Sequence, residues 1–163
     1  MIRGILAATL LFGVGCSSAL TPAVLVVRHA ERDPGRDPDL NAAGVRRAEA
    51  LVEPARRAGV VAAYHTQYKR TRQTAEPAAK ALGIPLIQID IEPKREAEYA
   101  EAVVRHIQAH YPGRPVLIVS HSNTVPILLG KLGVASPREI PETEYGTLFV
   151  VTGNKLSEAR FGP

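Results

Sequence analysis

The run AVLVVRHAER, from Ala23 to Arg32, decides how the chain is read. Five apolar residues follow Pro22 and give way abruptly to Arg28, His29, Glu31 and Arg32. A short apolar run of this kind reads as a strand buried on both faces, central in a parallel sheet. Its charged residues then fall at the carboxyl end, where open α/β sheets form their ligand crevice. Arginine at that point offers a planar fork of donors to phosphate oxygens, and imidazole can act as nucleophile or base near neutral pH. The same residues could equally open an ordinary polar loop.

A second run of the same design shifts the balance towards a site. Val116 to Ser120, VLIVS, ends at His121 and is followed by Ser122, Asn123 and a helix-like segment. Two histidines at the ends of two buried strands can share one crevice.

RHAE after the first strand, YKRTRQTAEPAA from Tyr68 and VSHSN from Val119 occur in that order along the chain. With them the sequence resembles the histidine phosphatase superfamily, the group that includes cofactor-dependent phosphoglycerate mutases and small phosphohistidine phosphatases. The resemblance runs from about Val24 to near the C-terminus. It implies a phosphoglycerate mutase-like fold, His29 as a nucleophile that carries a covalent phosphoryl group, and Arg28, Arg70 and His121 as phosphate ligands. His121 is expected in a protonated or donor state. No metal or other cofactor is implied. The family's small members often take a proton donor from the stretch after the third strand, which here selects Glu92, with Glu96 and Glu98 as rivals. Glu31 is a further candidate, or else the partner of an arginine.

Departures from the family pattern narrow the reading. Asp33-Pro34-Gly35 stands where mutases carry an Asn and a Ser or Thr, and the long insertions that close mutase sites are missing, so hydrolysis is favoured over phosphoryl shuttling. Ser122 follows His121 where the acid-phosphatase branch has Asp.

The 163 residues suit one domain, and 45% apolar against 22% charged residues is an ordinary globular balance. Residues 1–16 are set apart from it. A basic start at Arg3, the apolar run Gly4 to Val14 and the small residues Gly15-Cys16-Ser17-Ser18 have the layout of an export signal. Cys16, the one cysteine, resembles the lipidated residue of a bacterial lipobox, although Gly13 stands where that motif has Leu. A plain signal peptide cut between Gly15 and Thr21 is the alternative. The expectation is an exported periplasmic or cell-envelope protein, touching the membrane only through a lipid anchor, with its phosphatase-like domain over 22–163. The net charge of +4 comes with dispersed basic residues and 5% aromatics, which argues against nucleic acid and towards phosphorylated small molecules or envelope components.

The rest of the chain reads as alternating helices and strands, a three-layer α/β/α sandwich around a mostly parallel sheet. Asp33 to Leu40 is loop, leaving Arg32 and Arg36 within reach of a substrate or simply solvated. Asn41 caps a helix to about Ala58, with Val45, Ala48, Leu51, Val52 and Ala55 on its buried face and Pro54 inside it. Strands are expected over Val60 to Tyr64 and, at an edge because of Pro85, over Ile84 to Ile91. The helix from Tyr68 to Leu82 stops at Gly83 and holds Arg70 in its first turn, where exposed N–H groups favour an anion. A further helix carries His106 and His110 one turn apart, a pair read as surface polarity because no third ligand stands nearby. Ser122 or Asn123 would cap the helix Thr124 to Leu132, and Tyr145 to Phe161 forms a hairpin across Gly153-Asn154.

Two other readings compete with an exported phosphatase acting on phosphomonoesters or phosphohistidine. One is a metal hydrolase built on His29, His121 and a glutamate; the strand-end arginines argue against it, because cations repel a divalent metal. The other is a non-catalytic module that binds phosphorylated ligands on the same fold.

Overall fold

The computed structural model describes residues 22–163; the export segment 1–16 with Cys16 lies outside the described residues. The elements are β1 (Ala23–Arg28), α1 (Ala42–Ala50), α2 (Val52–Arg57), β2 (Ala63–His65), α3 (Lys69–Leu82), β3 (Leu86–Gln88), α4 (Glu96–His110), β4 (Val116–Ser120), α5 (Val125–Lys131), β5 (Thr147–Thr152) and β6 (Lys155–Arg160). They form one sheet in the order β3-β2-β4-β1-β5-β6. β1, β4, β2 and β3 pair in parallel, while β5 is antiparallel to β1 and β6 to β5. The α/β fold with a mostly parallel sheet expected from the sequence is therefore the one formed, with β1 inside it and β3 at an edge.

Alternation along the strands divides the core into two layers. Val26, Ile118, Tyr64 and Phe149 face α4 and α5, packing on Ala100, Val103, Leu128 and Leu129. Leu25, Val27, Leu117 and Val119 face the other way, onto Leu51 and Ala55 and onto Ala75, Ala78 and Ala79 of α3. Both faces are covered, which is why β1 and β4 read as unbroken apolar runs.

Several boundaries differ from expectation for identifiable reasons. The first helix breaks at Leu51 into α1 and α2, because Pro54 has no N–H for the Ala50 carbonyl and its ring crowds that carbonyl. Val45 lies on the outer side, 46% exposed, and not on the buried face. β2 starts late because the Val60 N–H closes α2 on the Ala55 carbonyl, and β3 is short because the Ile84 N–H is used by Ala79 and Pro85 has none. α5 is capped by neither Ser122 nor Asn123. Thr124 occupies the cap, and its Oγ1 bonds instead with Ser120 and the His121 N–H.

Two contacts fix the segment that follows β1. Asn41 accepts from the N–H groups of Ala43 and Gly44 as the cap of α1, and its own N–H donates to the Glu31 carbonyl at 3.1 Å. Gly44 packs directly on that same carbonyl: a Cβ there would sit 2.0 Å from the Glu31 oxygen. Helix propensity alone would make Gly44→Ala stabilising by about 1 kcal/mol. The steric conflict reverses the sign, and a net loss of about 1–3 kcal/mol is expected. Urea denaturation checks it; a midpoint above the parent's would show that the backbone beside the site is not held by this contact.

Candidate active site

The site begins as a matter of register. Val24 pairs with Val116 and Arg28 with Ser120, so the next residues, His29 and His121, stand side by side just beyond the carboxyl ends of adjacent parallel strands. The His29 N–H donates to the Ser120 carbonyl at 2.9 Å, extending the ladder one step. Neighbouring strands are about 4.8 Å apart, and the two imidazoles meet edge to face with centroids 5.5 Å apart. They border a cavity of about 320 Å³ that also takes in Arg32, Tyr68, Arg70 and Ser122.

Hydrogen bonding orients His29. Its Nδ1 lies 2.8 Å from the Ala30 carbonyl, which can only accept, so Nδ1 carries the proton and Nε2 keeps a free lone pair. The Ala30 N–H is in turn held by Thr74 Oγ1 of α3 at 2.9 Å. Burial lowers the His29 pKa to about 4; the Ala30 bond opposes the shift, and Arg28, Arg70 and Arg32 reinforce it. The imidazole is neutral at physiological pH, the state a nucleophile needs.

His121 has the opposite orientation. Its Nδ1 faces Arg70 Nη2 at 3.4 Å, and a guanidinium can only donate, which puts the proton on Nε2, 3.1 Å from Thr66 Oγ1. The Thr66 hydroxyl donates to Thr71 Oγ1 at 2.9 Å, and Thr71 donates to the Tyr68 carbonyl at 2.8 Å. Burial first, then Arg70 and His29, lower the His121 pKa to about 3. Of the protonated or donor state expected, it therefore takes the neutral donor one, with its N–H turned to Thr66.

Three arginines surround His29 in different ways. Arg28, 3% exposed, is held by the loop before β5: Nη1 donates to the Pro141 and Glu144 carbonyls, Nη2 donates to Glu142 at 2.8 Å, and the guanidinium lies 4.2 Å from the Tyr145 ring centroid. Arg70, at the start of α3, lies 4.3 Å from the Tyr68 ring centroid and reaches Asp37 at 3.4 Å. Arg32 donates to the Asp33 and Gly35 carbonyls and lines the cavity, whereas Arg36 is exposed on the loop. The Nε–H groups of Arg28, Arg32 and Arg70 are all buried without a partner. Unpaired buried donors are costly, and an oxyanion is the group that would satisfy them.

The carboxylates separate clearly. Glu92 and Glu96 line the cavity from the side of α4; Glu92 is paired with Arg95 at 3.0 Å, and Glu96 accepts from Asn123 at 3.3 Å. Glu98 is turned to a different groove, beside Tyr99 and Arg105, and is not brought to the site. Glu31 also leaves it: Arg47 grips the carboxylate through Nε and Nη2 at 2.9 and 2.6 Å and holds the Phe161 carbonyl with Nη1. Glu142 is the site carboxylate that sequence reasoning missed. It joins Arg28 to the Ser122 hydroxyl, and the Ser122 bond, with Arg28 in support, holds its pKa below the ordinary glutamate value. No motif surrounds it, since its place depends on the path of the loop.

His106 and His110 stack at 4.1 Å on α4, with His106 Nδ1 3.0 Å from the Tyr64 hydroxyl. Among the described residues no group of three or more His, Cys, Asp or Glu side chains is placed to hold a metal ion.

Comparison with known proteins agrees with this geometry. Residues 24–94 match the sequence model of the histidine phosphatase superfamily, branch 1. No curated protein matches at a significant level by sequence. Among solved structures, SixA of Agrobacterium tumefaciens, provisionally assigned as a phosphohistidine phosphatase, is 25% identical with a TM-score of 0.62, the match covering 88% of this chain and 99% of that one. The protein histidine phosphatase SixA complexed with tungstate matches with a TM-score of 0.64 at 18% identity, over 86% of this chain and 96% of that one. YhfR of Bacillus stearothermophilus matches with a TM-score of 0.62 at 20% identity, over 85% and 95%. The matching segment carries the sequence pattern of the histidine phosphatase superfamily, branch 1, and the fold, with its mixed six-stranded sheet and paired histidines, is structurally close to that of the small SixA-type members.

Proposed function

We propose that the protein is a phosphatase that releases phosphate from phosphomonoesters or phosphohistidine through a covalent phosphohistidine on His29. The observation that carries this reading is the neutral imidazole whose free Nε2 stands among three arginines with unpaired buried Nε–H groups. In the first step Nε2 bonds to phosphorus as the phosphorus–oxygen bond of the ester breaks, and Glu92 gives a proton to the departing oxygen. In the second step water attacks phosphorus, its proton passes to the Glu92 carboxylate, and the phosphorus–nitrogen bond breaks. Arg28, Arg32 and Arg70 offset charge growing on the phosphoryl oxygens, with His121 bordering them. Glu142 is unsuited to the donor role because its hydrogen bonds favour the ionised form.

Replacing His29 with Ala should abolish phosphate release that persists in the presence of a chelator, together with any acid-labile phosphoryl label on the enzyme. In the parent, the acid limb of kcat/KM corrected for substrate ionisation should lie near pH 4, because protonation disables His29 near its lowered pKa of about 4, while any alkaline limb reports loss of the donor's proton. An acid limb at the ordinary histidine value of about 6.5 would contradict the buried neutral nucleophile. A His29→Ala protein that binds phosphorylated ligands, beside a parent with no turnover, would favour the binding module.

Glu92→Gln should lower kcat for an alkyl phosphate by about 10²–10³-fold, within the range of general-acid effects. p-Nitrophenyl phosphate, whose leaving group needs little protonation, should lose far less. Equal losses on both substrates would remove Glu92 from the donor role and turn attention to Glu96.

Export and lipidation at Cys16 belong to the same proposal and rest on the composition of residues 1–16. Cys16→Ser should shift the protein from the membrane fraction to the soluble fraction of the producing cell; unchanged partitioning would refute the anchor.

A further inference from the structure

The cavity beside His29 does not end at its own wall. Ser122, Asn123 and Glu142 line it and also line a second cavity of about 400 Å³, which continues between α5 and the loop before β5. The charges on the two sides of this shared wall differ. On the His29 side Arg32 and Arg70 stand beside the phosphoryl position, with Glu92 and Glu96 further out towards α4. The second cavity is bounded by Pro126, Ile140, Glu139 and Glu142 and has no basic residue among those lining it. Glu96 adds a carboxylate at the rim, in the first turn of α4.

These carboxylates are not equally neutralised. Glu92 has Arg95 and Glu142 has Arg28. Among the described residues Glu96 and Glu139 take part in no ion pair: Glu96 accepts only from the Asn123 amide, and the Arg138 guanidinium next to Glu139 bonds to Glu144, Glu158 and the Glu139 backbone carbonyl. A phosphoryl group held at His29 can project its alcohol past Ser122 and Asn123, towards these side chains. A second anion there meets only repulsion, whereas an ammonium group meets carboxylates on both sides. Apolar Pro126 and the buried Ile140 suit the methylene chain that would carry it.

We propose that the preferred substrate is a small phosphomonoester whose alcohol carries an ammonium group, an aminoalkyl phosphate, and that Glu139 and Glu96 set this preference. The inference rests on the phosphatase reading above and adds the leaving-group side of the site to it. The substrate is a zwitterion laid along the molecule's own charge gradient, phosphate on the arginines and ammonium on the glutamates.

The test compares O-phosphoethanolamine with glycerol phosphate, whose alcohol is uncharged, and with 3-phosphoglycerate, whose alcohol carries a carboxylate. kcat/KM should fall in that order, with about tenfold between the first two at low salt and less at high salt. Glu139→Lys and the double variant Glu96→Gln, Glu139→Gln are then run on the same three esters. The ratio of parent to variant on each ester cancels the ester's intrinsic reactivity. The double variant should bring the ethanolamine-to-glycerol ratio to near that expected from reactivity alone, and Glu139→Lys should make 3-phosphoglycerate the better substrate of the three. Ratios that do not move in either variant overturn the proposal while leaving the phosphatase reading intact. If the parent releases phosphate from none of the esters, the phosphomonoester part of the phosphatase reading fails; calorimetric binding of the three esters to the parent then decides the selectivity, and equal affinities overturn it.

Discussion

The in-register parallel pairing of β1 with β4 is the constraint on which the site depends. A parallel ladder places equivalent positions at equal height, so the first residue beyond each strand falls at the same level, and here those residues are His29 and His121. A slip of one residue in either strand would turn one imidazole to the opposite face and bury the other's neighbour in its place. The register is protected because both strands are covered on both faces: Val26 and Ile118 pack on one layer, Val27 and Val119 on the other, all fully buried. The apolar core thus sets the position of the polar site to within the width of one side chain. The chain leaves β1 towards α1 on one face and leaves β4 towards α5 on the other, and this divergence opens the crevice between them.

Electrostatics within that crevice follow from burial and from which donors are already used. His29 and His121 are both pushed well below the ordinary histidine value, burial being the main cause and the arginines an added one. Their proton positions nevertheless differ, because different partners sit at Nδ1: a carbonyl for His29, a guanidinium for His121. One imidazole therefore presents Nε2 and the other Nδ1 as its free or weakly engaged nitrogen. The arginines are anchored by their terminal nitrogens to Pro141, Glu142, Asp37 and the Asp33 loop, while each keeps an unpaired Nε. Such anchoring reduces the freedom an arginine would otherwise lose on meeting an anion.

Legibility in the sequence followed the range of the interactions involved. β1, β4 and the hairpin could be read because apolar runs and a Gly153-Asn154 turn are local signals, and Arg70 could be placed in the first turn of α3 because helix starts are local too. The position of Pro54 was visible, but the break it causes at Leu51 depends on a carbonyl four residues earlier and on packing. Val45 sat at a plausible helical position yet faces outward, since periodicity gives a face without saying how wide its covered part is. The place of Arg28 beside His29 is a local signal, but the engagement of its terminal nitrogens by residues more than a hundred positions away is not. Glu142 was invisible for the same reason, and Ser122 was assigned to a helix cap when its hydroxyl goes to that glutamate. Contacts made by a long loop returning over the sheet edge leave no mark on spacing.

The division of the chain by its matched segment carries a physical meaning. Residues 24–94, which match the superfamily, supply His29, Arg28, Arg32, Arg70 and Glu92, the groups around the phosphoryl position. Ser122, Asn123, Glu139 and Glu142 lie beyond it; Ser122, Asn123 and Glu142 form the wall shared by the two cavities, and Glu139 lines the second. Arg28 ties the two parts together, because it neighbours His29 in sequence and is gripped by the loop that carries Glu142. Glu31 and Arg47 make a second tie, fixing the segment after His29 to the backbone of Phe161 and Pro163 near the end of the chain. Chemistry on phosphorus needs the same donors whatever alcohol departs, whereas beyond Glu92 and Glu96 the side chains near the alcohol belong to the later loop. Changes in that loop can therefore alter which phosphorylated compound is accepted without moving the nucleophile, provided that the carbonyls holding Arg28 stay in place.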